Sequence, residues 1–419
     1  MRKLFSIMFS AVLLLIVSGQ GAGAQKVKVY QVVRRSMAWA MLCLAVCMLG
    51  VGVSAGAQKP TIITFDPSDA GKGAGQGTNA WGITPQGAII GWYVDGSNAI
   101  HGFLRTPHGT ITTFDASGAG IDASQGTFAV AMNAEGVIAG TYLDASYVFH
   151  GFLRAPDGKF MKMDDPYAGT NPGQGTRVTD INAAGTIAGW SDDAGNVNHI
   201  FLRDAYGGAT EFYAPGAGTG DGQGTYMPTF YGLTPAGAIT GFYVDVSNVM
   251  HGYLRGAHGS ITEFDAQHLG TGTSACQSAW VPLGSPPLLE GTQALSVNPE
   301  GAVAGQYGDV NCVFHGFLRD AHGSITEFDA PGAGKGAGQG TFVTSNNPEG
   351  AITGYYTDKY DVSHGFVRAP DGKFTTIDVP GAGKDPYEGT FSFGNNPAGV
   401  CMGYYVDANG ASHGFLWIP

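Results

Sequence analysis

A five-residue phrase, His-Gly-Phe-Leu-Arg or a close variant, returns seven times in this chain, at His101, His150, His199, His251, His315, His364 and His413. The intervals between these histidines are 49, 49, 52, 64, 49 and 49 residues, so one unit has been copied with two insertions and no losses. A repeat of that length points to a propeller or a solenoid, because a single unit of this size cannot bury its apolar face alone. Period-two alternation bounded by glycine turns parses the first unit into strands at 78–84, 88–94, 101–105 and 110–114. Four short antiparallel strands joined by tight turns make one blade. A glycine-rich connector follows, cleanest over 330–340, and six of the seven connectors are eleven residues long.

The ends of the repeated region bear on closure. Residues 61–66, Thr-Ile-Ile-Thr-Phe-Asp, read as a fourth strand without its first three, and 413–417, His-Gly-Phe-Leu-Trp, read as a third strand without its fourth. Joined, they complete one blade. An open solenoid needs capping repeats to cover its terminal cores, whereas radial repetition leaves only short, protected edges. The expected fold is therefore all-β: a seven-bladed β-propeller of four-stranded antiparallel blades, closed by pairing the N-terminal strand with the C-terminal blade. A β-solenoid is the alternative.

Composition fits that fold and narrows the partners. Glycine occupies 68 of 419 positions, without a collagen period, while 43% hydrophobic and 11% aromatic residues supply the core that a disordered chain lacks. A net charge of −12 argues against a nucleic-acid surface, which would carry a basic patch. Residues 1–57 read as an export signal region with two tandem signal-like segments, 1–24 and 34–57, each a basic start, an apolar run and a small-residue site, Ala22-Gly23-Ala24 or Ala55-Gly56-Ala57. The reading favoured is an upstream start codon with the second signal in use, cleavage near Gln58, and a single mature domain over 58–419. Retention of 37–53 as a membrane anchor is the alternative, although 17 residues is at the short edge for a span. The expected location is secreted, extracellular, periplasmic or cell-envelope.

The repeated residues carry a likeness. The His-Gly-Phe core with its following arginine, the Asn-Pro-Glu-Gly or Thr-Pro-Gln-Gly turn and the Gly-Tyr-Tyr strand resemble the HAF repeat family of predicted bacterial extracellular proteins, over roughly 61–417. Glycine stands for that family's alanine in six copies, and Ile200 does so in the third. The resemblance implies an exported repeat protein and transfers no catalytic residue.

An aspartate stands six residues before every histidine: Asp95, Asp144, Asp193, Asp245, Asp309, Asp358 and Asp407. Repetition this strict means a shared local task. With His101 placed opposite Phe114, Asp115 and its equivalents also come near, except at Tyr213. The pairs read as a hydrogen-bonded brace of the blade, against an acid–base pair or metal site, since zinc needs several ligands within about 2.0–2.3 Å and blades stack about 10 Å apart. The Asp-to-His loops offer oxygen ligands but lack the spacing of a recognised calcium loop. No cofactor is expected, with calcium the one alternative. Connector runs such as Gly332-Ala333-Gly334-Lys335-Gly336-Ala337 match a dinucleotide fingerprint in form only, because a strand and not a helix follows.

Specificity is expected where copies disagree. One connector, 266–291, grows to 26 residues and contains Cys276 and Trp280. Long loops on rigid scaffolds tend to carry binding. Cys312 lies in the next Asp-to-His loop, and a Cys276–Cys312 disulfide would staple the insertion, as an exported compartment permits. Cys401, within a strand, reads as a buried thiol. Trp280, Glu290, Arg177 and Asp180 are the candidate ligand-face residues. For the last two, a polar site near the channel competes with solvated strand ends or a local pair.

The function expected is an exported, non-catalytic binding or interaction scaffold, monomeric, for a glycan, surface polymer or protein partner. Alternatives are a carbohydrate-active lyase or hydrolase, which rests on fold analogy alone, and a structural cell-envelope component.

Overall fold

The computed structural model describes residues 59–228, 231–267 and 291–419. Contacts divide the chain into Met1–Lys59 and Pro60–Pro419. The export region 1–57 and the cleavage position near Gln58 lie outside the described residues, as do Cys276, Trp280 and Glu290. Every described element is a strand, 28 in all.

The first group comprises β2 (Gly77–Ile83), β3 (Ile89–Val94), β4 (Ile100–Arg105) and β5 (Ile111–Phe114), each antiparallel to the next. The order recurs as β6–β9 (126–163), β10–β13 (175–212), β14–β17 (224–264), β18–β21 (291–328) and β22–β25 (340–377). The last group is β26 (Gly389–Asn395), β27 (Cys401–Val406) and β28 (Ser412–Ile418), completed by β1 (Thr61–Phe65). Thr61 pairs with Ile418 and Phe65 with Gly414, and a parallel bridge joins Gly77 to Ser412. The ring is thus closed and the architecture is that of a β-propeller. An open solenoid is excluded, because the two terminal strands satisfy each other's backbone groups.

Three repeated devices join neighbouring groups. The glycine of each Gln-Gly-Thr or Glu-Gly-Thr has φ between 103° and 131°, and a Cβ there would lie 1.9–2.4 Å from a backbone atom of the preceding group, so only glycine allows the bridge. The threonine hydroxyl that follows accepts a backbone N–H at 2.9–3.0 Å in six copies, as from Ala116 to Thr127. The arginine that ends the repeated phrase lies over a phenylalanine of the preceding group, at 4.7–4.9 Å in five copies. In the third copy Met163 replaces that phenylalanine, and Arg203 meets its sulfur.

Two faces follow from chain direction. Each innermost strand starts beside a connector and ends in a tight turn, so connectors and Asp-to-His loops share one face and the turns at 84–88 and 106–110 share the other.

Candidate functional site

The connector face carries the repeated acids and histidines. In every copy the aspartate's Oδ1 accepts the backbone N–H groups two and four residues on, as Asp358 does from Tyr360 (2.8 Å) and Val362 (3.0 Å). The residue between them adopts a left-handed conformation, with φ of 59° at Cys312. The remaining oxygen, Oδ2, faces Nε2 of the histidine at 3.2–3.9 Å. The histidine's Nδ1 meets a second acid at 2.7–3.0 Å: Asp115, Asp164, Asp265, Asp329, Asp378 or, through ring closure, Asp66.

The register here differs from the expected one by a residue. Gly102, not His101, is opposite Phe114. His101 therefore faces position 115 directly, which is why the second acid reaches its ring.

Each bracket consumes its own polar groups. Both ring nitrogens are turned to carboxylates, and a tyrosine covers the ring face at 4.9–5.0 Å between centroids in six copies. Hydrogen bonding to the second acid raises the pKa of His150, His251, His315 and His364 against the opposing pull of burial. In the third copy Ser191 stands opposite His199 where the others have tyrosine, and Tyr213 takes the second acid's place, its hydroxyl 2.7 Å from Nδ1. In the loops Oδ1 of the aspartate is taken by two backbone N–H groups and Oδ2 faces the histidine. Among the described residues no group of three acidic, histidine or cysteine side chains is arranged to hold a metal.

The connector side chains are likewise occupied. Gln339 Oε1 accepts the Gly336 N–H (2.9 Å) while its Nε2 donates to Asp361 (2.8 Å), and Glu388 accepts from Asp385 N (2.9 Å).

The second place of interest is the centre of the ring. A cavity of about 290 Å³ is lined by the innermost strand or following turn of all seven groups, and it lies toward the turn face. That is the face opposite the described connectors. Its walls are largely apolar, with Ile83, Ile90, Val130, Met132, Leu233 and Val297 among them.

Two departures from the repeat meet there. The first is Asp180 on β10 (Gly175–Ile181), whose counterparts at the same strand position are Gly82, Ala131, Ser296, Ser345 and Gly394. The second is the fourth innermost strand, β14 (Gly224–Tyr226), which has three residues where the others have seven. The 52-residue interval arises here, from three extra residues that end the strand early and redirect the chain into the channel. Tyr231, at φ 42°, accepts the Ile83 N–H on its hydroxyl (3.1 Å) and the Val297 N–H on its carbonyl (3.1 Å). It thereby links the fourth group to the first and the fifth. The site reading from sequence did not include Tyr231; the three surplus residues in that interval were the available signal.

Asp180 Oδ1 accepts from Ile181 N (2.8 Å) and Oδ2 from Leu233 N (3.1 Å). Asp180 is part-buried and lines the cavity. Desolvation raises its pKa to about 6, with the two N–H donors offsetting part of the shift.

Arg177 and Asp180 do not pair with each other, and neither is a solvated strand end. Arg177, 9% exposed, forms an ion pair with Asp192, a diagonal neighbour across the hairpin, and lies between Phe149 (3.9 Å) and Trp190 (4.2 Å). Cys401 is a free, buried thiol whose pKa burial pushes up to about 12. Cys312 is disulfide-bonded, and Cys276, its expected partner, lies outside the described residues.

No protein-family model matches this chain, and no curated protein does. Among solved structures it is similar to the BP39L lectin from Burkholderia pseudomallei, at 10% identity over 82% of this chain and 98% of that one, with a TM-score of 0.46. It is also similar to the Aleuria aurantia lectin, described as a six-bladed β-propeller with a novel fucose recognition mode, at 10% identity, 71% and 92% coverage and a TM-score of 0.36. TolB from Acinetobacter baumannii is similar at 10% identity, 85% and 79% coverage and a TM-score of 0.38. Likenesses this distant carry no ligand or activity to this chain.

Proposed function

We propose that the protein is an exported, non-catalytic binding module built on a seven-bladed β-propeller, each four-stranded group being one blade. The observation that carries this reading is how the polar groups are spent. The aspartates and histidines of the seven brackets engage each other within their own copies, so the repeated histidines are spent on the frame, and the exposed His108, His258 and His322 stand apart in turns of the opposite face. Binding capacity is then concentrated where copies differ: the channel with Asp180 and Tyr231, and the 266–291 connector with Trp280 and Glu290, stapled by a Cys276–Cys312 disulfide. The partner class is a glycan, a surface polymer or a protein partner, and the protein acts as a monomer at the cell envelope or outside it.

The test is a glycan and polymer panel presented to the exported protein, scored for retention and for product formation together. Retention without product is the expected outcome. Turnover of any panel member would instead make the protein a carbohydrate-active enzyme. Peptide mapping with and without reductant checks the staple, and finding Cys276 as a free thiol overturns it.

A further inference from the structure

We propose that the central cavity is a binding site for a small organic ammonium ion, held by the Asp180 carboxylate with its apolar body against the surrounding walls. This rests on the binding-module reading and names the chemistry of one of its sites.

Asp180 does not belong to the repeat. The equivalent position in five other innermost strands holds glycine, alanine or serine, residues that let the strands converge at the axis. A carboxylate there is a local addition, and among the described residues lining the cavity it is the sole acidic group, with no lysine, arginine or histidine beside it. Contrast Arg177, three residues earlier on the same strand, which has its own counter-ion in Asp192.

The carboxylate is only partly satisfied. Each oxygen accepts one backbone N–H, whereas an ionised carboxylate offers about four acceptor sites. Its charge is held deep in a half-open, largely apolar cavity that strips it of much of its water, where an unpaired ion is costly. A cationic ligand would remove that cost on entry, and a neutral one would not. The cavity's 290 Å³ is at the small end of ligand pockets, which run from about 300 Å³ upward, so the body must be compact. Capping the Leu233 N–H at the interrupted strand is the competing role for Asp180, and it predicts no charge preference in the cavity.

The experiment compares cyclohexylammonium with cyclohexanol, a neutral probe of similar shape, by titration calorimetry or ligand-observed NMR at pH 7.5. The exported protein should bind the ammonium at least about tenfold more tightly, the discrimination of one charge-assisted hydrogen bond. Asp180→Asn should abolish the preference. In the unmutated protein the ammonium should be lost as pH falls through about 6, where Asp180 takes up a proton. Tyr231, the other titratable group facing the cavity, stays neutral throughout because burial raises its phenol.

Equal affinity for the two probes, no binding of either, or a preference surviving in Asp180→Asn overturns the assignment. Should the variant fail to fold, the two-probe comparison and its pH dependence in the unmutated protein decide the matter. Retention of a glycan or polymer without ammonium binding removes the channel site and leaves the binding-module reading intact. Product formation removes that reading whatever the channel does.

Discussion

His150 and Asp180 are titratable groups set in the same scaffold on opposite faces, and their surroundings treat them in opposite ways. His150 sits between Asp144 and Asp164 with Tyr142 over its ring, so its proton has two acceptors and its charge two partners. Asp180 has two backbone donors and, among the described residues lining the cavity, no cation. A motif copied around a ring must find partners for its polar groups within one copy, because every unmet donor or acceptor would be multiplied by the number of copies. A residue that appears once is free of that constraint, and so is a place where imbalance can be kept for a ligand.

The strongest way to break this comparison is to open the frame. Deleting residues 61–66 removes β1, exposes the edge of β28 and takes away Asp66, the second acid of His413. The loss should be comparable to the whole stability of an ordinary domain, about 5–15 kcal/mol, read as a fall of more than about 10 °C in the melting temperature. Unchanged melting would show that the frame does not need closure.

A smaller but still large effect separates two glycines. Gly340 has φ 123°, and a Cβ there would meet the Phe314 carbonyl oxygen at 2.0 Å, so Gly340→Ala should cost about 1–3 kcal/mol in backbone strain alone and more through the lost bridge. Gly96 has no atom within 4 Å of its added Cβ, and Gly96→Ala should stay within about 0.5 kcal/mol. Denaturant midpoints of the two variants decide whether the parallel bridge or glycine content in general matters.

The channel acid gives a pH signature. Its folded pKa of about 6 lies above the ordinary value of about 3.9. A raised carboxyl favours the folded state fully below the unfolded value, and that contribution is lost as pH rises through the folded one. Stability should therefore decline between about pH 4 and 7 by at most ~3 kcal/mol from this group. The raised histidines of the brackets lose their contribution in the same direction, at and above neutral pH. Subtracting the profile of Asp180→Asn from that of the parent isolates the channel term; coincident profiles would place Asp180 in the balanced class.

The frame was largely legible because period-two alternation and glycine turns are local. The strand expected over 78–84 is Gly77–Ile83, and that over 88–94 is Ile89–Val94. The bracket was legible in its members: the aspartate six residues ahead shows in spacing alone, and the second acid was placed near the ring although the expected register was one residue off. The channel left only the three surplus residues of the 52-residue interval as a trace. Tyr226-Met227-Pro228 and the residues after it still read as an apolar strand entering a turn. Its interruption becomes visible only when the other innermost strands occupy the axis and Tyr231 is found bonded to Ile83 and Val297.

The gentlest test compares two arginines of the frame. Arg319 lies 4.9 Å over the Phe264 ring, a cation–π contact worth about 0.5–1 kcal/mol at a half-exposed site. Arg203, its counterpart in the third group, meets the Met163 sulfur instead. Both arginines end the repeated phrase at the same strand position, so the difference between Arg319→Ala and Arg203→Ala reports the ring against the sulfur. Arg319→Ala should be the costlier by a few tenths of a kcal/mol, measured from denaturant midpoints. Equal costs would mean that stem packing and not ring charge joins the groups. The third group, which already departs at Ser191, Tyr213 and Asp180, would then differ from its neighbours in chemistry without differing in how firmly it is held.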